Sequence, residues 1–370
     1  MKVVFFVDTL KNPFIDAWYD FLCLLHIDFV ILAQVNSDEL ELLPNRIQSQ
    51  VVYMTDHNWR EQAEEKLNGI PDVIIYWWGL LSLLRLGPRK AWPKSSLSLV
   101  VDTFPNASMK FTFYLEVFKS FLFLNSVDLF IVTSEEMKFD MISTLGKIIK
   151  NKDFFILRTP FTLKSHSNKS VADAQSIEGN QSLVYLGRSD FLFSNNLRMR
   201  KDDTSRILVN FMEAGANIYL RESGNQYIDQ ILMENGFHVY KNHSRESMTN
   251  GSFSDFIDGF AGQIPVYNTH NSTIRRRVSN GLSTRFAQGI CSSTPMLLNK
   301  EAKFSKEFVE DYQIGLYIEG DISNLLFTFF QQNSRFRLNW YQKHHLWASE
   351  HYVDEFKHAL FSLVAKYSNS

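Results

Sequence analysis

Short apolar runs without polar interruption recur along this chain, and they constrain its fold more than any other feature. In the first half of the chain these runs read KVVFFV, DFVIL, VVYM, DVIIYWW, LSLVV, DLFIVT and FFIL. Such runs are typical of β-strands that are buried on both faces. Segments with helical spacing, such as residues 13–25 and 111–124, separate several of them. This alternation predicts an α/β fold in which helices cover both faces of a parallel sheet.

A second series of apolar runs begins at Ser182, after a polar stretch rich in Ser and Asn that predicts a linker. Its strands are predicted in the runs SLVYLG, NIYL, FHVY, IPVYN, PMLL and IGLYI. Its helices are predicted around residues 203–214, 226–235, 253–260 and 281–292.

The length of the chain predicts two domains. A chain of 370 residues exceeds the size at which a single core stops growing. The predicted parts are a first domain at residues 1–165, a linker at 166–181, a second domain at 182–340 and a C-terminal helix at 341–370.

The overall charge is close to neutral. Thirty-eight Lys and Arg residues stand against 40 Asp and Glu, which gives a net charge of −2 and no overall field for nucleic acid. Cys23 and Cys291 fit neither a disulfide framework nor a zinc site, and we expect packed thiols in a reducing compartment. The first apolar run is too short for a signal peptide, and no run is long enough for a membrane span. We therefore expect a cytoplasmic protein.

Several segments carry a resemblance to a known family. SVDLFIVTSEEM and DFFILRTPF close the first half, LVYLGR opens the second, and RFAQGICSSTP occupies residues 285–295. The last is the most specific, because a cation, an amide three residues later, small residues and a Pro before a strand are similar to the Lys/Arg-x-x-Glu helix of GT-B glycosyltransferases. Together with VDTFP at 101–105 and with Asn268, these segments most resemble the family-1-like branch of spore-maturation type.

The resemblance implies two Rossmann-like domains that face each other, with a C-terminal helix that crosses back to the first. The first domain would bind the acceptor and the second a nucleotide-sugar donor. It further implies a metal-independent hexosyltransferase of polysaccharide biosynthesis, which needs no cofactor and transfers a sugar to a hydroxyl of a glycan or lipid-linked glycan. Retaining members carry a Glu-x(7)-Glu pair, and the matching positions here are Asn280 and Gln288, so the motif is degenerate.

The donor-binding candidates follow from the resemblance and from the chemistry of a diphosphate leaving group. Negative charge grows on this group as the glycosidic bond breaks, and guanidinium groups bind phosphate oxygens bidentately. We therefore assign Arg188 and Arg285 to the diphosphate and Gln288 to the ribose or the sugar. The remaining donor-site candidates are Gly187, Asn268 and Ser293. The arginine run at 275–277 either lines an anionic substrate or forms a solvated face or loop.

Asp102 is the catalytic candidate. It follows the run LSLVV, and the carboxyl ends of parallel strands face the ligand crevice. Asp102 would be the general base of an inverting enzyme and would orient the acceptor in a retaining one. A turn or a helix N-cap would explain the same Asp without chemistry. We expect no metal site, since the histidines lack a ligating pattern such as H-E-x-x-H.

One segment bears on the acceptor. Residues 76–94, YWWGLLSLLRLGPRKAWPK, combine aromatic and Leu residues with four cations. This mixture is typical of a membrane interface, where a lipid-linked acceptor would lie. A buried strand and helix explain the first half equally well, so a peripheral contact with the inner face of a membrane stays open.

Two other functions remain open beside the transferase. A non-catalytic GT-B-like accessory or scaffold subunit of a glycosylation system would explain the amides Asn280 and Gln288, whereas the retained Arg285 argues against it. A GT-B epimerase would need paired carboxylates and a histidine that the sequence does not place. The chain has no Walker loop, no G-x-G-x-x-G after its first strand and no G-x-S-x-G, which disfavours ATPases, dinucleotide oxidoreductases and α/β-hydrolases.

Overall fold

The computed structural model divides the chain into two compact units. Unit 1 comprises Met1–Thr162 and Ala348–Ser370, and unit 2 comprises Leu163–Trp347. The structure describes residues 1–8, 10, 14–34, 43–77, 87–101, 118, 124–158, 179–193, 203–241, 243, 252–270, 272–280, 286, 289–290, 292–302, 304–343, 346 and 349–368.

Unit 1 is built on a seven-stranded sheet in the order β3-β2-β1-β4-β5-β6-β7, and every pairing in it is parallel. Its strands are β1 Lys2–Val7, β2 Asp28–Ala33, β3 Val51–Tyr53, β4 Val73–Tyr76, β5 Ser96–Val101, β6 Leu129–Val132 and β7 Asp153–Ile156. Its described helices are α1 Phe14–Leu24, α2 Asn45–Gln48, α3 Trp59–Lys66, α4 Gly87–Ala91, α5 Glu135–Leu145, α6 Lys147–Lys150 and the C-terminal α14 Val353–Ser368. The order of strands is that of a doubly wound Rossmann-like fold.

The apolar runs of unit 1 are continuous because both faces of the sheet are covered. On β1, Val3 and Phe5 pack in one cluster with residues of α1 and α14, whereas Val4 and Phe6 pack in a second cluster with residues of α3 and α5. A strand with only one covered face would alternate with polar residues instead.

The C-terminal helix belongs to the core of unit 1. Phe356 of α14 is fully buried, and its ring lies 5.4 Å from the ring of Phe21 and 5.2 Å from that of Phe155. Leu360 and Leu363 continue the same buried face at helical spacing. The predicted return of the C-terminal helix to the first unit is therefore confirmed.

Unit 2 repeats the architecture with a six-stranded parallel sheet in the order β10-β9-β8-β11-β12-β13. Its strands are β8 Ser182–Tyr185, β9 Asn217–Arg221, β10 His238–Tyr240, β11 Gly262–Gln263, β12 Met296–Leu298 and β13 Gly315–Tyr317. Its described helices are α7 Ser205–Glu213, α8 Gln226–Glu234, α9 Ser252–Asp258, α10 Ser272–Asn280, α11 Phe304–Lys306, α12 Ile322–Gln331 and α13 Asn333–Lys343. The predicted fold class, α/β with two Rossmann-like domains, is confirmed.

Local sequence signals fix several helix starts. Ser134 accepts a hydrogen bond from the backbone N–H of Met137 at 3.1 Å and caps α5, which then carries two Glu residues in its first turn. Asn225 caps α8 and Asp321 caps α12 in the same way. These polar residues satisfy backbone N–H groups that a helix start otherwise leaves without partners.

Two sequence predictions, for the strand IPVYN and for Cys23, differ from the structure, and the structure makes a third, for the arginine run, more precise. The residues IPVYN, predicted as a strand, follow the end of β11, because β11 pairs only at Gly262–Gln263. The arginine run, predicted to line an anionic substrate or to form a solvated face or loop, lies in helix α10, where Arg275 is exposed to solvent. Cys23, predicted as packed, is exposed.

Other predictions fall partly outside the described residues. These are the linker at 166–181, the helices at 111–124 and 281–292, and Cys291. Among the described helices, none combines the length and the apolar character needed to cross a bilayer.

Candidate functional site

The topology of unit 2 places its candidate site at the carboxyl edge of the sheet. β8 and β11 are neighbours, but the chain leaves β8 toward β9 on one side and leaves β11 toward β12 on the other. In open parallel sheets, ligands bind outside the carboxyl ends of strands at such a switch point. Gly187 and Arg188 follow β8 here, and residues 264–270 follow β11. The sequence-predicted residues Gly187, Arg188 and Asn268 therefore share this edge.

Gly187 lies against the ring of Tyr185. A Cβ atom on Gly187 would come within 2.2 Å of Cζ and Oη of Tyr185, so glycine is required for the backbone to pass here. The Tyr185 ring is itself fixed, because it is fully buried and its hydroxyl accepts a 2.9 Å hydrogen bond from Oγ1 of Thr204. The end of β8 is thereby held in place without a side chain at Gly187.

Arg188 has two partners beside it. Its Nε donates to Oδ1 of Asp190 at 3.0 Å, and a terminal nitrogen pairs with Oδ2. The guanidinium also lies 4.5 Å from the ring centre of Phe191. Because 59% of the Arg188 side chain is exposed, the cation reaches solvent, but the carboxylate of Asp190 balances its charge.

The segment after β11 is braced by the residue that follows β12. The backbone N–H of Tyr267 donates to Oδ1 of Asn299 at 2.8 Å, and the N–H of Thr269 donates to the carbonyl of Tyr267 at 3.0 Å. Within the described part of the chain, the buried Oδ1 of Asn268 has no hydrogen-bond partner. An acceptor of this kind can take a hydroxyl donor from a ligand.

Ser293 lies elsewhere. It precedes β12 and is therefore at the amino edge of the sheet, opposite to Gly187 and Asn268. Its backbone N–H and its hydroxyl donate to Oδ1 of Asp258 at 2.6 and 2.7 Å, and only 1% of the residue is exposed. The described contacts of Ser293 are structural, and its assignment to the donor stays a prediction without support from them.

The residues around Ser293 form a buried polar network. Arg337 of α13 is 1% exposed, lies 4.0 Å from Oδ1 of Asp258 and donates to the carbonyl of Phe260. Asn333 of the same helix donates to the carbonyl of Ala261. Burial lowers the pKa of Arg337, and the charge of Asp258 acts in the opposite direction. This network joins α13 to the turns that lead into β11 and β12.

Three of the predicted residues, Asp102, Arg285 and Gln288, lie outside the described residues. Phe286, the residue after Arg285, is helical and fully buried, with its ring 4.7 Å from that of Phe308. Asp102 directly follows β5, whose last residue is Val101. Within the described ranges, no three His, Cys, Asp or Glu side chains are grouped to hold a metal ion.

Two residues of this edge, Thr204 and Asn299, were missed from the sequence, and Arg275 was named there only as part of the arginine run at 275–277. Asn299 had a usable signal, since it directly follows the apolar run that forms β12. Arg275 donates from Nε to the carbonyl of Thr269 at 2.8 Å, a contact that depends on the turn between β11 and α10. Thr204 is found only through its bond to Tyr185.

No family model matches the chain, and no curated protein matches it in sequence. Solved structures resemble it in fold. The Anabaena protein HepE, crystallised with UDP-glucose and with UDP, matches 98% of this chain and 99% or 100% of its own, with TM-scores of 0.66 and 0.67 and identities of 11% and 12%. The N-terminal domain of Candida albicans trehalose-6-phosphate phosphatase matches 98% of this chain and 97% of its own, with a TM-score of 0.60 and 10% identity.

A third solved structure matches less of its own length. The pneumococcal O-GlcNAc transferase GtfA, solved with UDP and GlcNAc, matches 83% of this chain and 60% of its own, with a TM-score of 0.51 and 11% identity. Identities of this size relate the proteins by fold.

Proposed function

We propose that this chain, which has the GT-B fold, is a glycosyltransferase that moves a sugar from a nucleoside diphosphate donor to a hydroxyl group. The observation that carries the proposal is the match over 98% of the chain to HepE, a protein solved with UDP-glucose and with UDP. UDP-sugars are therefore the first donors to test. In finer terms, the proposal is a cytoplasmic, metal-independent hexosyltransferase of polysaccharide biosynthesis that needs no cofactor and acts on a glycan or a lipid-linked glycan.

The carboxyl edge of unit 2 supports the donor half of the proposal. Gly187 lets the backbone pass the Tyr185 ring at the end of β8, and Arg188 brings a cation to the same turn. The buried Oδ1 of Asn268 offers an acceptor for a ribose or sugar hydroxyl. In a transfer reaction, these groups would orient the donor while cations stabilise the charge that grows on the diphosphate.

The acceptor half rests on unit 1 and on sequence. β5 ends at Val101, so Asp102 follows a strand at the carboxyl edge of the unit 1 sheet. As a general base, this carboxylate would take the proton of the acceptor hydroxyl during attack on the anomeric carbon. In a retaining reaction it would orient the acceptor instead. Arg285 and Gln288 keep their proposed places on the diphosphate and on the ribose or sugar.

The first experiment is a thermal-shift screen of the purified protein with UDP, GDP, CMP, TDP and ADP. A nucleotide at about 100 times its dissociation constant should stabilise the fold by about 2.7 kcal/mol. We expect UDP to give the largest shift and Asn268→Ala to reduce it. Asn217→Ala is the matched control, because Asn217 is exposed at the amino end of β9. Absence of a shift with every nucleotide would overturn the proposal.

Turnover separates an enzyme from an accessory subunit. The protein is incubated with the sugar nucleotides of the base that binds and with a panel of glycan acceptors, and release of the nucleoside diphosphate is measured. Acceptor-dependent release is the expected result. Binding without release by any sugar nucleotide would favour the scaffold, whose support is the pair of amides at Asn280 and Gln288 in place of Glu residues.

A further inference from the structure

Arg275 holds a defined position at the carboxyl edge of unit 2. It lies in α10, the helix that follows β11, and its Nε donates to the carbonyl oxygen of Thr269 at 2.8 Å. The side chain is exposed. One edge of the guanidinium is thus fixed to the backbone, while the edge formed by the two terminal nitrogens has no hydrogen-bond partner among the described residues. That edge has the fork geometry that fits two phosphate oxygens.

The carbonyl that holds Arg275 is itself well positioned. Thr269 is only 8% exposed, and its N–H is bonded to the carbonyl of Tyr267. The N–H of Tyr267 is bonded in turn to Oδ1 of Asn299, which is also 8% exposed. A chain of hydrogen bonds therefore runs from the end of β12 through the segment after β11 to the guanidinium. A cation that is held in this way loses little side-chain entropy when it binds an anion.

The charges at this edge distinguish Arg275 from Arg188. Arg188 is paired through two nitrogens with the carboxylate of Asp190, so the pair has no net charge. The described partner of Arg275 is a neutral carbonyl, so its positive charge is not cancelled by that contact. An anion at the switch point gains more from an uncompensated cation than from a neutral pair.

We propose that Arg275 binds the diphosphate of the donor and that Asn299 is its positioning residue. The identification of the anion as a nucleoside diphosphate rests on the proposed function. The assignment of an anion site to Arg275 does not, because pyrophosphate alone tests it.

The test measures binding of UDP, uridine and pyrophosphate by isothermal titration calorimetry. We expect Arg275→Ala to raise the dissociation constants of UDP and pyrophosphate by about 10- to 100-fold, since the lost bonds are charge-assisted contacts to phosphate. The dissociation constant of uridine should stay within about 2-fold of the wild-type value. Arg335→Ala is the matched control, because Arg335 is also exposed and also donates to a neutral acceptor, Oε1 of Gln313 at 2.9 Å. Melting without ligand verifies that each variant is folded.

Asn299 is tested through its coupling to Arg275. Asn299→Ala should weaken the binding of pyrophosphate in the wild-type background. It should have little further effect on this binding in the Arg275→Ala background. Equal effects in both backgrounds would show that Asn299 does not act through Arg275.

The outcomes separate this inference from the proposed function. If the wild-type protein binds UDP and Arg275→Ala does not change this affinity, the inference about Arg275 is overturned and the proposed glycosyltransferase function stands. Arg275-dependent binding of pyrophosphate without binding of any nucleotide would keep the anion site and overturn its nucleotide ligand. Binding of neither would overturn both.

Discussion

At the scale of single residues, the contact between Gly187 and Tyr185 makes a sharp prediction. Gly187→Ala would place a methyl group about 2.2 Å from the Tyr185 ring, and the fully buried ring cannot move without losing its bond to Thr204. We expect the substitution to lower the free energy of unfolding by about 1–3 kcal/mol, the usual cost of overpacking. Urea denaturation followed by circular dichroism measures it.

The control for this prediction is the same substitution in a Tyr185→Ala background. Removal of the ring removes the obstacle, so Gly187→Ala should then cost far less, and the two substitutions should show a clear coupling energy. Equal costs in both backgrounds would mean that Gly187 matters for a reason other than the Tyr185 ring.

The environment of His243 leads us to expect that the free energy of unfolding depends on pH. Its ring lies 4.9 Å from that of Phe253 and 4.5 Å from that of Phe256, and burial lowers the pKa of His243 below the ordinary value of 6.5. The unfolded chain therefore binds a proton at this site more readily than the folded protein does. The contribution is fully present above pH 6.5 and is lost as the pH falls from there through the lowered pKa.

The corresponding experiment compares wild type with His243→Phe, which keeps an aromatic ring among Tyr240, Phe253 and Phe256. Urea midpoints are measured at about pH 7.5 and about pH 5.5, on either side of the ordinary pKa of histidine. We expect wild type to lose more stability than the variant between these two conditions. The same loss in both proteins would mean that His243 contributes nothing to the pH dependence.

Individual side-chain roles were the least predictable feature of the sequence. Ser293 was assigned to the donor because small residues precede a Pro, but its hydroxyl bonds Asp258 at the amino edge of the sheet. That partner lies 35 residues away in the chain, and nothing in the local pattern indicates it. Gly187 was placed correctly at the end of β8, whereas the Tyr185 ring that requires a glycine there emerges only from the packing.

At the scale of elements, helix α10 was not predicted from the sequence, because its run of charged residues masks the helical spacing of its apolar ones. The run of three arginines was predicted to line an anionic substrate or to form a solvated face or loop, and Arg275 is indeed exposed. The apolar residues Ile274 and Val278 of the same helix are buried at i and i+4 and pack with Tyr267 and Ala302. The strand prediction at IPVYN failed for the opposite reason. Its apolar residues are buried beyond the end of β11, so burial rather than strand pairing explains their character.

Helix α13 is expected to be held by Arg337. Arg337→Ala would remove the cation beside the buried carboxylate of Asp258 and would remove the donor to the carbonyl of Phe260. Breaking one side of a buried ion pair costs about 3–5 kcal/mol, and we expect a loss of that size in the free energy of unfolding. Arg335→Ala, on the exposed side of the same helix, should stay within about 0.5 kcal/mol of wild type. Equal effects of the two substitutions in urea denaturation would rule out this role of Arg337.

At the scale of the whole molecule, the sequence predicted the architecture well. Twelve of the thirteen described strands overlap a predicted apolar run, because a strand covered on both faces must be apolar throughout. The exception, β11, has only two residues and is too short to leave a pattern. The candidate site of unit 2 was predictable only as an edge of the sheet, since topology determines which strand ends meet. The contacts of Asn299 and Arg275 depend on turns of irregular structure.

The C-terminal helix α14 packs against elements from the start and the middle of the chain, and this packing gives the last prediction. Phe356→Ala would empty a fully buried site between Phe21 and Phe155, and we expect a loss of about 3–5 kcal/mol in the stability of unit 1. Hydrogen exchange followed by mass spectrometry should show faster exchange in peptides from α1 and β7, with peptides from the sheet of unit 2 unchanged, because unit 2 has its own core. Phe361→Ala on the same helix is the control, since that ring is 46% exposed and its loss leaves no cavity. Faster exchange throughout both units would contradict the expectation that α14 stabilises unit 1 alone.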